Sequence, residues 1–242
     1  MPREQRRDKQ SRKRKEKQRR KSFRPQAGAK PFSEFVPQSR IGVALKVMNA
    51  LIEDRTVGSI FAELSGKREK QELSLQRVQK LRADPRTIEL FRTNLDYIEQ
   101  QLRELQALER QTPEQQREFL RKFVPLGIDY QRKMRETLFR DNNRDMDVKY
   151  AIGIALINCK GKTGSSAYRK IIAGGKKQLM HWQKLKQVCE ELRIVLSAKN
   201  REFVDRQITY HQNALNGLLT VRNLSPQERQ AIMEYARKKG EM

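Results

Sequence analysis

The sequence predicts an all-α fold, a helical bundle of long helices preceded by a disordered basic N-terminal arm. Three helix starts are marked by a capping residue directly followed by proline, at Asp84-Pro85, Thr112-Pro113 and Ser225-Pro226. Capping side chains satisfy the free N–H groups of a first helical turn, where proline is also tolerated. Apolar residues recur every three or four positions after these points, and the sequence shows no hairpin turn signal, so strands are not expected.

Residues 1–31 differ in composition from the rest of the chain, with 14 Lys+Arg, three acidic residues and no Leu, Ile or Val. A segment that buries no apolar surface cannot offset the entropy of ordering, so we expect it to be disordered when free. The composition favours a polyanion-binding arm or a nuclear-import signal, and a solubilising tail is the alternative. The densest basic run consists of Arg12, Lys13, Arg14 and Lys15.

Charge and composition limit the function classes. The 242 residues carry 53 Lys+Arg against 29 Asp+Glu, a formal net charge of +24. Such an excess repels itself unless a polyanion neutralises it, and nucleic acid is the commonest one. No apolar run approaches the roughly 18 residues that span a bilayer, so we expect no membrane partner. Two cysteines are too few for a disulfide framework, which favours an intracellular location, cytoplasmic or nucleoid-associated in a bacterium and nuclear in a eukaryote.

A helical scaffold is predicted over 32–147. An amphipathic helix is indicated at 39–54 and a short one at 56–64, which Ser65-Gly66 separates from a charged helix at 67–83. The helix that starts at Pro113 meets Pro125, which we expect to kink or break it before the apolar stripe continues to about Arg140.

A heptad-like seam runs through 88–105. Its apolar residues alternate spacings of three and four. An antiparallel hairpin within the chain is the preferred interpretation, and self-association or a protein partner on the seam is the alternative, since three heptads are a minimum for a coiled coil. The seam residues are Ile88, Phe91, Leu95, Ile98, Leu102 and Leu105.

The remaining residues, 148–242, are predicted to form a basic C-terminal helical region. Residues 148–159 are almost wholly apolar and fit a helix or a buried strand, and their helical neighbours favour a helix. Ser165 or Ser166 is expected to cap a short helix that Gly174-Gly175 ends. One long helix, or two in tandem, is expected from Lys176 to Arg222.

A basic span is the strongest local sign of function. Residues 148–189 contain no acidic residue, although the chain average predicts about five, and they contain nine basic ones. Cations beside glycine loops and helix starts reach phosphates, and an aromatic among them can stack on a base, although Trp182 is expected in the core. The candidate binding residues are Lys160, Lys162, Arg169, Lys170, Lys176, Lys177, Lys184 and Lys186.

The loop from Gly161 to Gly164 ends like a P-loop, but Leu156 stands where that motif has its first glycine. It also has the Gly-x-x-Gly form of KH modules, but Lys160 stands where an apolar residue is usual and no flanking strands are predicted. We therefore expect this loop to bind phosphate without belonging to either family.

Asp141, Asp145 and Asp147 form an acidic cluster that could hold a divalent cation, so a metal-dependent nuclease is one alternative function. A helix end or turn explains the same residues more simply. His181 and His211, with the two cysteines, match no compact zinc site in their spacing. No triad of catalytic residues is evident, so neither an enzyme nor a cofactor is expected.

These observations predict a non-catalytic nucleic-acid-binding protein, accessory or regulatory, in which the arm attracts phosphates and the basic span orients the contact. They do not separate DNA-binding from RNA-binding. A helical adaptor or assembly protein of a nucleoprotein or ribosomal complex is the second alternative.

Overall fold

The computed structural model describes residues 38–139 and 146–241, and all regular structure in these ranges is helical. The predicted all-α class is therefore confirmed. A short 3-10 turn, Val221–Asn223, joins the last two α-helices. The α-helices are α1 (Ser39–Ile52), α2 (Val57–Lys80), α3 (Pro85–Glu109), α4 (Pro113–Phe139), α5 (Val148–Asn158), α6 (Ser166–Glu191), α7 (Ala198–Thr220) and α8 (Pro226–Glu241).

The proline-marked helix starts are confirmed. The Asp84 carboxylate accepts a hydrogen bond of 3.0 Å from the backbone N–H of Thr87. Thr112 and Gln115 form a reciprocal capping box, in which each side chain accepts from the other residue's backbone N–H. Ser225 and Glu228 form the same arrangement at the start of α8. Each box satisfies N–H groups that have no partner within the helix.

Several helix ends use a left-handed residue that is not glycine. The backbone φ angle is 54° at Asp54, 49° at Arg82, 51° at Lys160 and 53° at Arg193, each just after a helix. The N–H group of the residue after each of these turns back to a helix carbonyl five positions earlier, as in a Schellman motif. Of the four stops, only the one at Lys160 is followed by a glycine, Gly161.

Two helix breaks predicted at glycines are wrong. The helix α2 continues through Ser65-Gly66, and α6 continues through Gly174-Gly175. A glycine inside a helix costs about 1 kcal/mol relative to alanine, which the burial of Ile172 and Leu179 on either side outweighs. Of the two alternatives for 176–222, the structure has two helices rather than one, separated by a turn at 192–197 and packed against each other.

Pro125 does not break α4, which runs from Pro113 to Phe139. Val124 and Ile128 are both fully buried, so packing holds the helix on either side of the proline. The Asn200 side-chain amide donates to the Pro125 carbonyl at 3.1 Å.

The helices enclose two apolar cores that share α6 and α7. The first core joins α1, α4 and one end of the α2–α3 pair to the C-terminal half of α6 and the start of α7. The second core joins α5 and α8 to the start of α6 and the end of α7. Trp182 lies in the first core, as predicted, with its ring edge-on to Phe203 at 5.7 Å. The shared helices fix the second core relative to the scaffold.

The helices α2 and α3 form a hairpin within the chain, which is the interpretation preferred for the heptad seam. The Gln71 side chain donates to the Phe91 carbonyl across the hairpin at 3.3 Å. Leu102 and Leu105 are buried in the first core, but every residue from 65 to 100 retains at least partial exposure. The distal part of the hairpin therefore leaves much of its apolar surface uncovered.

Candidate nucleic-acid interface

The loop between α5 and α6 places two lysines on an exposed turn. Lys160 and Gly161 both have left-handed backbone, with φ angles of 51° and 72°. Helix α5 is closed by the Gly161 N–H, which donates to the Leu156 carbonyl at 2.8 Å. Lys160 and Lys162 are exposed on this turn. The loop follows a helix, whereas the P-loop follows a strand.

The start of α6 is anchored firmly beneath this loop. The Ser165 hydroxyl accepts from the backbone N–H of Tyr168 at 3.2 Å and so caps the helix. Tyr168 is 0% exposed, and its hydroxyl donates to the Leu218 carbonyl of α7 at 2.6 Å. Arg169 and Lys170 come next and are exposed. The N-terminus of a helix is the positive end of its dipole, and cations in the first turns add to that positive charge. A bound anion is therefore favoured there.

Two arginines that sequence analysis missed complete this surface. The Arg229 guanidinium donates to the Thr163 hydroxyl in the loop at 3.1 Å. The Arg222 guanidinium lies 6.0 Å from the centre of the Tyr168 ring. Burial raises the pKa of Tyr168, while the positive charges of Arg222 and Arg229 oppose that rise. Both arginines therefore lie near the start of α6, although more than 50 residues separate them from it in the sequence.

We call the six cations around this loop the loop-centred basic surface. None of them forms an ion pair with any other residue in 38–139 or 146–241. The second core contains Tyr168 beside these cations, and the Arg229–Thr163 hydrogen bond joins α8 to the loop. Such an arrangement can contact several phosphates at once. Its members are Lys160, Lys162, Arg169, Lys170, Arg222 and Arg229.

Three of the predicted binding lysines lie elsewhere and are neutralised. Lys177 pairs with Glu53 at 3.4 Å, and Lys186 pairs with Asp205 at 2.9 Å. Lys184 pairs with Asp54 at 3.1 Å and also donates to the Ile52 carbonyl at 3.0 Å. The absence of acidic residues from 148–189 therefore does not leave these three lysines unpaired. Their partners come from the α1–α2 turn and from α7, outside the acid-free stretch of sequence.

Two other basic residues of the span are placed differently. Lys176 is exposed on α6. The Lys149 ammonium lies 4.6 Å from the centre of the Tyr235 ring, a cation–π distance. The basic run from Arg12 to Lys15 lies outside the described residues.

The aspartate cluster is described only at Asp147. Its carboxylate caps α5 by accepting from the Tyr150 N–H at 2.9 Å, and it accepts from the Tyr235 hydroxyl at 2.7 Å. It also pairs with Lys239. Burial opposes ionisation, but these hydrogen bonds outweigh it and lower the pKa of Asp147 to about 2. Asp147 therefore has a structural role, while Asp141 and Asp145 lie outside the described residues.

Comparison of the chain with protein-family models, with curated proteins and with solved structures finds no match. In the described part of the chain, no helix is long and apolar enough to cross a membrane. Over the same residues, no group of three or more His, Cys, Asp or Glu side chains is arranged to hold a metal ion. The site itself is thus the basis for assigning a function.

Proposed function

We propose that this protein is a nucleic-acid-binding accessory or regulatory protein without catalytic activity of its own. The observation that carries the proposal is the loop-centred basic surface, whose six cations have no carboxylate partner among the described residues. An unneutralised cluster on a rigid frame suits a polyanion with regularly spaced phosphates.

Ion pairing distinguishes two groups among the predicted binding residues of the span, and Lys176, exposed on α6, belongs to neither. Lys160, Lys162, Arg169 and Lys170 are exposed and unpaired within the described residues, so their charge is available to a ligand. The lysines at 177, 184 and 186 pair with carboxylates that dock α6 on its neighbours. We assign phosphate contact to the first group, together with Arg222 and Arg229, and the basic N-terminal segment would add non-specific attraction.

Charge reversal at equal net charge tests the proposal. The variant K162E/R169E/R222E/R229E removes four cations of the surface. The control R103E/R110E/R117E/K199E changes four exposed cations elsewhere, so that both variants lose the same total charge. Affinity for duplex DNA and for single- and double-stranded RNA is measured by fluorescence anisotropy at two salt concentrations.

The first variant should lose orders of magnitude in affinity, with a salt slope flatter by about 0.9 for each lost contact on duplex DNA. The control should bind nearly as well as the wild type. Equal losses in both variants would mean that binding depends only on net charge, and the proposed surface would be wrong. The nucleic acid bound most tightly decides between DNA and RNA.

A helical adaptor is the second candidate function, because the distal α2–α3 hairpin exposes apolar residues that a protein partner could cover. The nuclease alternative gains no such support, since Asp147 is held by Lys239, Tyr235 and the α5 N-terminus.

A further inference from the structure

The distal part of the α2–α3 hairpin, residues 65–100, leaves apolar side chains exposed to solvent. We call this part the hairpin arm. All of its residues are at least partly exposed, including the seam residues Ile88, Phe91 and Leu95. Leu73 and Leu90 are about half exposed, at 53% and 48%, and Leu81 at the tip is 80% exposed. Two paired helices bury little on their own, and bundles gain stability when further helices complete the core.

One face of the arm continues a surface that is already packed. At the body end of α3, Tyr97 and Gln101 lie against α1 so closely that a Cβ added at Gly42 would stand 2.1 Å from the Gln101 amide nitrogen. Leu90 and Asn94 precede Tyr97 by seven and three residues, so they share this face of α3. Helix α1 covers this face at Tyr97 and Gln101, whereas Leu90, further along the arm, is 48% exposed.

The balance of basic and acidic residues on the arm indicates which kind of partner can bind it. Residues 65–100 contain eight basic and six acidic residues, so the arm is nearly balanced in a chain whose net charge is +24. A polyanion gains little from a balanced surface. A second copy of this chain is repelled over most of its surface, but it meets mixed charges and exposed leucines at the arm.

We propose that the chain forms a homodimer in which two hairpin arms pack side by side about a two-fold axis. The two hairpins then make a four-helix bundle, and each arm covers the Leu81 and Leu90 of the other. This inference is independent of the proposed nucleic-acid binding, because the arm and the loop-centred basic surface belong to different helices.

Sedimentation equilibrium of the full chain tests the dimer. The protein is treated with nuclease and measured at high salt, so that nucleic acid and charge repulsion do not decide the result. The variant L81E/L90E places charges on the arm. The control L126E/V195E introduces the same two charges at one leucine and one valine that are exposed elsewhere. Circular dichroism verifies that both variants keep the wild-type helix content.

The wild type and the control should be dimers, and the arm variant should raise the dimer dissociation constant by more than about tenfold. A monomeric wild type overturns the proposal, whichever other partner covers the arm. Equal weakening in both variants, or none in the arm variant, also overturns it.

A second measurement remains decisive if L81E/L90E fails to fold. Cys159 and Cys189 are both buried, so a bismaleimide reagent reacts mainly with an introduced thiol. The L90C variant should be cross-linked to a dimer, and L126C should not. Absence of cross-linking in L90C, or equal cross-linking in both variants, contradicts an arm-to-arm dimer.

Discussion

The Tyr168 hydroxyl donates a hydrogen bond of 2.6 Å to the backbone carbonyl of Leu218. The contact joins the first turn of α6 to the end of α7, where carbonyls lack donors within their own helix. Tyr168 is fully buried, so water cannot replace its hydroxyl as the donor. The hydrogen bond therefore attaches the start of α6 to the second core. The positions of Arg169 and Lys170, which follow Tyr168, depend on it.

The first prediction follows from that bond. Tyr168→Phe should lower the free energy of unfolding by about 1–3 kcal/mol, because it leaves the Leu218 carbonyl buried without this donor. Tyr130→Phe is the matched control, since the Tyr130 hydroxyl is buried without a hydrogen-bond partner among the described residues. That variant should be neutral or slightly more stable. Urea unfolding measures both, and equal losses of stability would show that the Tyr168 bond contributes nothing of its own.

The helix starts could be read from the sequence because each depends on residues three positions apart. A Thr112–Gln115 or Ser225–Glu228 pair acts within one turn, whatever packs around it. The helix ends could not be read in the same way. The left-handed stops fall at Arg82, Lys160 and Arg193, residues with no preference for that conformation, so their side chains do not mark the helix ends.

The basic surface was predictable only in part for a similar reason. Lys160, Lys162 and Arg169 are close in sequence and remain exposed together. The partner of Lys184 is Asp54, 130 residues away, and Arg229 reaches Thr163 across 66 residues. Counting the charges along the sequence reveals neither contact, because both depend on how the helices pack in the fold.

Glycine substitutions test how α5 and α6 are packed. Gly174 is inside the helix, and a Cβ added there would meet nothing within 4 Å. Gly174→Ala should therefore raise the free energy of unfolding by about 0.5–1 kcal/mol through helix propensity. At Gly153 a Cβ would lie 2.4 Å from the Ala236 Cβ and 2.7 Å from the Ile232 carbonyl, so Gly153→Ala should destabilise the α5–α8 contact. Thermal unfolding measures both, and a destabilising Gly174→Ala would contradict the assignment of that residue to an open helical position.

Asp147 should make stability depend on pH in the acid range. Its pKa in the folded protein is about 2, below the ordinary value of 3.8, so the unfolded chain binds the proton more tightly. The resulting stabilisation, on the order of 1–2 kcal/mol, is complete above about pH 5 and is lost as the pH falls through 3.8 toward 2.

Asp147→Asn should remove this component, while its amide can still cap α5. Urea unfolding at pH 3 and at pH 6 measures the difference. Asp96→Asn, the same substitution at an exposed position of α3, is the control for the substitution itself. If Asp147→Asn loses as much stability between pH 6 and pH 3 as the wild type, the carboxylate does not contribute as described.

The last prediction separates the lysines that bind from those that hold the fold. K162Q/R169Q/K170Q and K177Q/K184Q/K186Q each remove three positive charges from the same span. The first variant should lose affinity for nucleic acid and flatten its salt slope, because its cations are exposed and have no ion pair among the described residues. Its stability should stay within about 0.5 kcal/mol of the wild type.

The second variant should show the opposite pattern. Lys184 is half-buried and donates to the Ile52 carbonyl at 3.0 Å as well as to Asp54, so its loss leaves the end of α1 without that donor. The free energy of unfolding should fall by about 1–2 kcal/mol, mostly from Lys184, since the pairs of Lys177 and Lys186 are solvent-exposed. Affinity should change little, because these charges are already neutralised by Glu53, Asp54 and Asp205. Anisotropy titrations and urea unfolding on both proteins measure the contrast, and a second variant that binds as weakly as the first would show that the paired lysines also contact the ligand.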